Sequence, residues 1–349
     1  MTQARRVDDF ASDNTAGICP ESWAELEAVN RGTSPAYGED ECTAQACNRI
    51  REIFETDCHV HFVFNGTAAN SLALAQLCQP FHSIIAHQLA HIQTDECGAP
   101  EFFSDGSKLL LVNGDDGKIS LDHVRDVLAQ QHGVHSHKPR VISITQATEL
   151  GTVYSCEEVS AVCEFARTND LLVHMDGARF ANAAAHLKCA PKELSWKAGV
   201  DVLCFGGTKN GTAAGELVIF FKPELAHEFD YRVKQGGQLG SKTRFLAAPW
   251  LGLLRNDVWL RNAAHANNAA LKLAARLSQE VNLKPLLPVQ SNAVFFKLAD
   301  VLVEKITGCG WNFYKFIEPD VYRLMCSWAT TDDQIETFVR QLKEIIDPL

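Results

Sequence analysis

The chain lacks the features that announce a function most directly. No apolar run approaches the ~18 residues of a membrane span. The start, MTQARRVDDFASDN, has no apolar core of a secretory signal, so a cytoplasmic protein is expected. A G-x-x-x-x-G-K-[ST] string is missing, and so is G-x-G-x-x-G, which leaves P-loop and dinucleotide sites weakly supported. C-x-x-C and H-E-x-x-H are missing too. His59/His61 and His135/His137 have H-x-H spacing, but no carboxylate or cysteine cluster completes either pair. Surface or strand-edge histidines are therefore expected, and no metal site. Positive charge is short: 32 Lys and Arg face 43 Asp and Glu, for a formal net charge of −11. That balance repels phosphate backbones and argues against nucleic-acid binding as the main task.

What is present is ordinary for a globular chain: 349 residues, 46% hydrophobic and 21% charged, about two domains by length. Most of the twelve cysteines sit in apolar runs, as Cys78, Cys163, Cys204 and Cys326 do. Buried free thiols of a reducing compartment are expected rather than a disulfide framework.

Apolar runs alternate with helical patterns. HVHFVF (59–64) reads as a strand and is followed by Asn65-Gly66 and a helix over 68–78. Further strands are expected at 83–87, 108–112, 140–145, 171–175, 200–205 and 215–221, with helices from Ser120 and over 156–166. Strands without polar alternation, separated by helices, imply a mostly parallel sheet covered on both faces, an α/β sandwich. After Tyr231 the pattern changes. A helical stretch over 243–280, interrupted at Pro249, precedes strands at 292–298 and 320–327 and a last helix over 332–346. This reads as a smaller α+β domain. The expected division is an arm over 1–15, a large domain over 16–250 and a small domain over 251–349.

Ligands in such sheets bind beyond the carboxyl ends of the strands. Three strand ends qualify: Asn65-Gly66-Thr67, Asp176-Gly177-Ala178-Arg179 and Gly206-Gly207-Thr208-Lys209. Taken singly, each has a bland reading as a turn, a helix cap or a solvated lysine. Together they supply the parts of a pyridoxal 5'-phosphate site. Lysine forms the Schiff base, aspartate keeps the pyridine nitrogen protonated, and a helix N-terminus binds the phosphate through free N–H groups.

HMDGARFANAAAHL (174–187) and WKAGVDVLCFGGTKNG (196–211) resemble the low-specificity L-threonine aldolases, in the phenylserine-aldolase-like branch. SDNTAG (12–17), YGEDE (37–41), NGTAAN (65–70), AHIQTDECGAPEFF (90–103), SITQATELGTVYS (143–155) and YRLMCSWATT (322–331) extend the resemblance over nearly the whole chain. It implies the aspartate-aminotransferase fold: a three-layer α/β/α domain with a mostly parallel seven-stranded sheet, plus a C-terminal α+β domain. It also implies roles. Lys209 is the Schiff-base lysine and Asp176 the pyridinium partner. Gly66, Thr67 and Ala68 form the phosphate loop, with Thr208 beside it, and His91 stacks on the cofactor ring and assists catalysis. Ser12, Arg179 and Arg323 hold the substrate carboxylate, a task suited to the arginine fork. An inward salt bridge is the alternative reading of Arg323. A neighbouring subunit of a homo-oligomer, dimer or tetramer, is expected to contribute Tyr37, Lys242 or Arg244.

Many members of that family carry a second active-site histidine, where this chain has Gln146-Ala147-Thr148-Glu149. Thr148 or Glu149 is therefore expected to face the substrate hydroxyl. The implied reaction is retro-aldol cleavage of L-threonine, L-allo-threonine and related β-hydroxy-α-amino acids to glycine and an aldehyde. β-Elimination, transamination or racemisation on the same scaffold is the nearest rival. A non-catalytic α/β binding protein is the rival of another class.

Overall fold

In the computed structural model, residues 8–347 are described; residues 1–7 of the expected arm lie outside them. The strands among them are, in chain order, β1 (Asp8–Asp9), β2 (His59–Val63), β3 (His82–His87), β4 (Lys108–Val112), β5 (Lys138–Thr145), β6 (Leu172–Gly177), β7 (Val202–Phe205), β8 (Glu216–Phe220), β9 (Ala293–Lys297), β10 (Trp311–Asn312), β11 (Tyr314–Ile317) and β12 (Val321–Met325). Seven form one sheet in the order β2-β8-β7-β6-β5-β3-β4. Only β8 runs against its neighbours. The three-layer, mostly parallel architecture expected from the sequence is therefore the one observed.

The apolar strands have two faces to fill. Leu203 and Phe205 of β7, with Leu217 and Ile219 of β8, enter one core. Val202 and Cys204, with Val218 and Phe220, enter the core on the opposite face. The Gly66–Leu77 helix lies in this second core and is apolar nearly all round, with Ala68–Ala75 buried throughout. Such a helix must be covered on every side. Its amino end is left at the carboxyl edge of the sheet.

β9, β11 and β12 form a separate antiparallel sheet. The Asp332–Ile346 helix packs there through Ile335, Phe338, Val339 and Leu342, the i, i+3, i+4, i+7 stripe of an amphipathic helix. Thr331 and Gln334 close its start as a capping box. The early chain joins this C-terminal core: β1 pairs with β10, and Phe10 stacks on Trp311 at 5.3 Å. The Val258–Val281 helix serves both regions. Val258, Trp259 and Ala263 belong to the large core, while Ala269 to Leu277 belong to the C-terminal one.

Two expectations need correction. Pro249 does not interrupt its helix, which runs through it over Arg244–Leu254. The break falls at Arg255–Asp257, where Asn256 and Asp257 adopt left-handed φ values of 50° and 55°. Packing of this helix on the Pro20–Val29 and Glu41–Phe54 helices holds it despite the missing N–H. The cysteines are all free, as expected, but Cys97 and Cys309 are exposed rather than buried. The H-x-H histidines behave as expected: His59, His135 and His137 are exposed, and His61 pairs with Asp230 at 3.1 Å.

Candidate active site

Parallel strands bring their carboxyl ends to one edge of the sheet. β2 ends at Val63, and two residues on Asn65 Oδ1 accepts the Ala68 N–H at 2.9 Å and caps the Gly66–Leu77 helix. The Ala69 N–H reaches the Asn65 carbonyl. Gly66 and Thr67 are left with N–H groups that have no acceptor within the helix, and both line a cleft of about 440 Å³. β6 delivers Asp176 to the same cleft, and the turn after β7 delivers Thr208 and Lys209. At Gly206 a Cβ would lie 2.4 Å from the Ala178 carbonyl oxygen, so only glycine lets the two strand ends meet.

Asp176 is buried at the floor. Its Oδ2 accepts from Asn70 Nδ2 at 2.9 Å and its Oδ1 from the Ala178 N–H at 3.0 Å. Burial alone would raise its pKa, but His91, the Ala178 N–H, Lys209 and His174 together hold the carboxyl below its ordinary value. Behind it, His174 is buried between Ser143 Oγ (2.9 Å) and Cys204 Sγ (3.3 Å), and burial lowers its pKa to about 4. His91 opens the short His91–Thr94 helix, and its Nδ1 sits 2.8 Å from Glu96 Oε1. That bond raises the His91 pKa against the opposing effect of burial. Asn70 Nδ2 bridges Glu96 (2.8 Å) to Asp176, so His91, Glu96, Asn70 and Asp176 form one connected network. Ligand-type atoms of His91, Glu96 and Asp176 lie within 4.8 Å of one another, and these bonds account for the cluster.

A second cleft of about 650 Å³ adjoins the first and shares His91 and Lys209 with it. Ser12, Glu149, Arg179 and Arg323 line it. Asp13 fills the Arg179 fork, with Nε–Oδ2 at 2.8 Å and Nη2–Oδ1 at 2.9 Å, and Asn292 Nδ2 adds a third bond at 2.9 Å. Two Arg179 donors are therefore occupied by the protein itself. Arg323 is different. It is 5% exposed, its Nε has no partner among the described residues, and its guanidinium lies over Phe316 (4.7 Å) and Tyr314 (4.9 Å). Burial first, then the like charge of Arg179, lowers its pKa to about 10. Among the described residues, the inward salt bridge considered for Arg323 is not present. Thr148 is withdrawn from the cleft: its hydroxyl bonds Thr152 Oγ1 at 2.7 Å and the Asp116 carbonyl at 3.3 Å.

The structure thus gathers Lys209, Asp176, His91, Gly66, Thr67 and Thr208 around one cleft, and Ser12, Arg179 and Arg323 around its neighbour. It does not bring Ala68 there, because that N–H belongs to the Asn65 cap. Tyr37, Lys242 and Arg244 line neither cleft. Tyr37 and Lys242 are exposed and Arg244 is half-buried, and the Tyr37 N–H bonds the Ser241 carbonyl at 3.1 Å. Sequence reasoning missed Asn70, Glu96, Asp13 and Glu216. Glu216 had a readable signal, an acid at the head of the otherwise apolar run ELVIF. Asn70 had a weaker one, a polar residue one helical turn after Gly66 on an apolar helix. Asp13 and Glu96 had none, since both depend on contacts between distant segments or on a loop.

Residues 9–300 match the family model described as beta-eliminating lyase. Low specificity L-threonine aldolase from Pseudomonas aeruginosa is 53% identical over 340 residues, covering 97% of this chain and 98% of that one. The protein of the same name from a Pseudomonas species is 51% identical, covering 97% of each. The solved Leishmania major threonine aldolase superposes with a TM-score of 0.91 at 27% identity, over 97% of this chain and 99% of that one. The chain belongs to the beta-eliminating lyase family and, within it, to the low-specificity L-threonine aldolases.

Proposed function

We propose that the protein is a pyridoxal-phosphate-dependent L-threonine aldolase that cleaves L-threonine, L-allo-threonine and related β-hydroxy-α-amino acids to glycine and an aldehyde. The observation that carries this reading is the meeting of Asp176, Lys209 and the free amino end of the Gly66–Leu77 helix in one cleft. These groups fit the cofactor: an amine for its aldehyde, a carboxylate kept ionised for its ring nitrogen, and unpaired N–H groups for its phosphate. When bound, it supplies the electron sink for breaking the Cα–Cβ bond.

The chain's own residues do the rest. Lys209 would hold the cofactor's aldehyde carbon, Asp176 would keep a proton on its ring nitrogen, and the Gly66 and Thr67 N–H groups would anchor its phosphate. Arg323, a buried cation with no ion pair among the described residues, takes the substrate carboxylate; Arg179, already fixed by Asp13, supports it. Holding the carboxylate there orients the substrate in the cleft. Glu96 favours the imidazolium form of His91, which suits a donor. Glu149, a carboxylate lining the substrate cleft together with Asp95, would accept the β-hydroxyl proton.

We infer further a homo-oligomer, dimer or tetramer, in which Tyr37, Lys242 and Arg244 reach a partner's cleft. The exposure of Tyr37 and Lys242, and an Arg244 Nε without a partner among the described residues, support this. Mixing Lys209→Ala with Arg244→Ala subunits tests it, since shared sites regain partial activity and separate sites do not. A cytoplasmic location is supported by twelve cysteines without a disulfide. The cofactor assignment is tested by incubation with pyridoxal phosphate, borohydride reduction and peptide mapping. A single adduct on Lys209 is expected, and an adduct elsewhere or none would refute it.

A further inference from the structure

Glu216 takes no part in the chemistry above, yet it is a carboxylate buried in the wall of the same cleft. Its four successors, Leu217 to Phe220, are all buried and apolar, so the packing of β8 does not call for an acid. Topology explains how it arrives. β8 is antiparallel to β7, so the first residue of β8 returns to the edge where β7 ends and the Lys209 turn begins. There Oε2 accepts the Gly207 N–H at 2.5 Å. Burial raises the Glu216 pKa, while hydrogen bonding from the Gly207–Thr208 turn and the Lys209 charge oppose that rise.

The Gly207 amide, two residues before Lys209, is thus held by one buried side chain. Backbone bonds also hold this turn, from the Asn210 N–H (2.9 Å) and the Thr212 N–H (3.2 Å) to the Gly207 carbonyl, but they leave the Gly207 N–H to Glu216. We propose that Glu216 is the positioning residue of Lys209, fixing the Gly207 amide so that the lysine amine is presented to the cleft. The inference rests on Lys209 being the residue that holds the cofactor.

Two substitutions separate reach from charge. Glu216→Gln keeps a carbonyl oxygen at the same reach and removes the charge. Glu216→Asp keeps the charge and is one methylene too short for the Gly207 N–H. Neither leaves a large cavity, and circular dichroism of the apoproteins checks their fold. The readout is the rate at which apoprotein gains a borohydride-trappable pyridoxal phosphate adduct on Lys209, followed by kcat and KM. Misplaced reacting groups lose rate steeply. Glu216→Asp is expected to slow adduct formation and kcat on the order of tenfold, with KM for L-threonine little changed. Glu216→Gln should stay near wild type. A fast Asp variant, or a Gln variant impaired as much as Asp, overturns the proposal. A wild-type protein that forms no adduct on Lys209 overturns the cofactor reading instead, so the two failures are distinct.

Discussion

Replacing Asp13 with alanine would leave the Arg179 guanidinium buried without its counter-ion. Both groups are nearly inaccessible, and two bonds of 2.8 and 2.9 Å join them. Removing one member of such a pair costs about 3–5 kcal/mol, because the remaining charge has lost its solvation as well as its partner. Asn292 would lose an acceptor in the same step. The pair also sets a pH dependence. Burial alone would raise the Asp13 pKa, but the Arg179 and Lys209 charges and the bonds from Arg179 and Asn292 lower it from 3.8 to about 2. A folded-state value below the unfolded one stabilises the protein above about pH 4, and that stability is lost as the pH falls toward 2. The shift corresponds to about 2 kcal/mol. Urea denaturation of the apoprotein measures both effects. Asp13→Ala should lose at least 3 kcal/mol at pH 7 on this scale, about the lower bound for a broken buried pair. Asp13→Asn should lack the part of the acid-side decline that wild type shows below pH 4. An alanine variant within about 1 kcal/mol of wild type, or an asparagine variant with an unchanged pH slope, would refute the reasoning.

Lys209→Ala should fold and lose turnover; multiple-turnover activity within about tenfold of wild type contradicts its assignment. Asp176→Asn should weaken cofactor binding and lower kcat at least ~10²-fold, about 2.7 kcal/mol of barrier, since an amide cannot keep the ring nitrogen protonated; an unchanged kcat excludes that role. Arg323→Leu should raise KM on the order of 10²-fold, the scale of losing a buried charge partner, and an unaltered KM would show that the substrate carboxylate binds elsewhere. Glu149→Gln should lower kcat by about 10²-fold or more with a smaller change in KM, and full activity would remove it as proton acceptor.

The fold was legible because its signals are local. Runs such as SIIAH and VISIT, short and bounded by helical patterns, read as strands with two covered faces, and the capping residue Ser120 marks a helix start. The cleft was legible for the same reason, since Gly66, Asp176 and Lys209 lie at strand ends that the parallel order brings together. Pro249 misled because local propensity was overruled by helix packing, while the real break lay in the unremarkable string Arg255-Asn256-Asp257. Arg179 was read as a free fork. Its partner Asp13 is 166 positions away and is brought close only by the fold. Glu216 escaped notice because only the reversed direction of β8 returns it to the catalytic edge. The choice between Thr148 and Glu149 could not be made from sequence, because it depends on which side chain the Thr152 and Asp116 contacts withdraw.

The central claim is that this cleft breaks a carbon–carbon bond. The family also carries the name of β-eliminating chemistry, and L-threonine separates the two outcomes in one assay. The cofactor-loaded protein is incubated with L-threonine, and all products are quantified. Aldol cleavage predicts glycine and acetaldehyde in equal amounts, with no ammonia. Ammonia and 2-oxobutanoate in place of glycine would contradict the account.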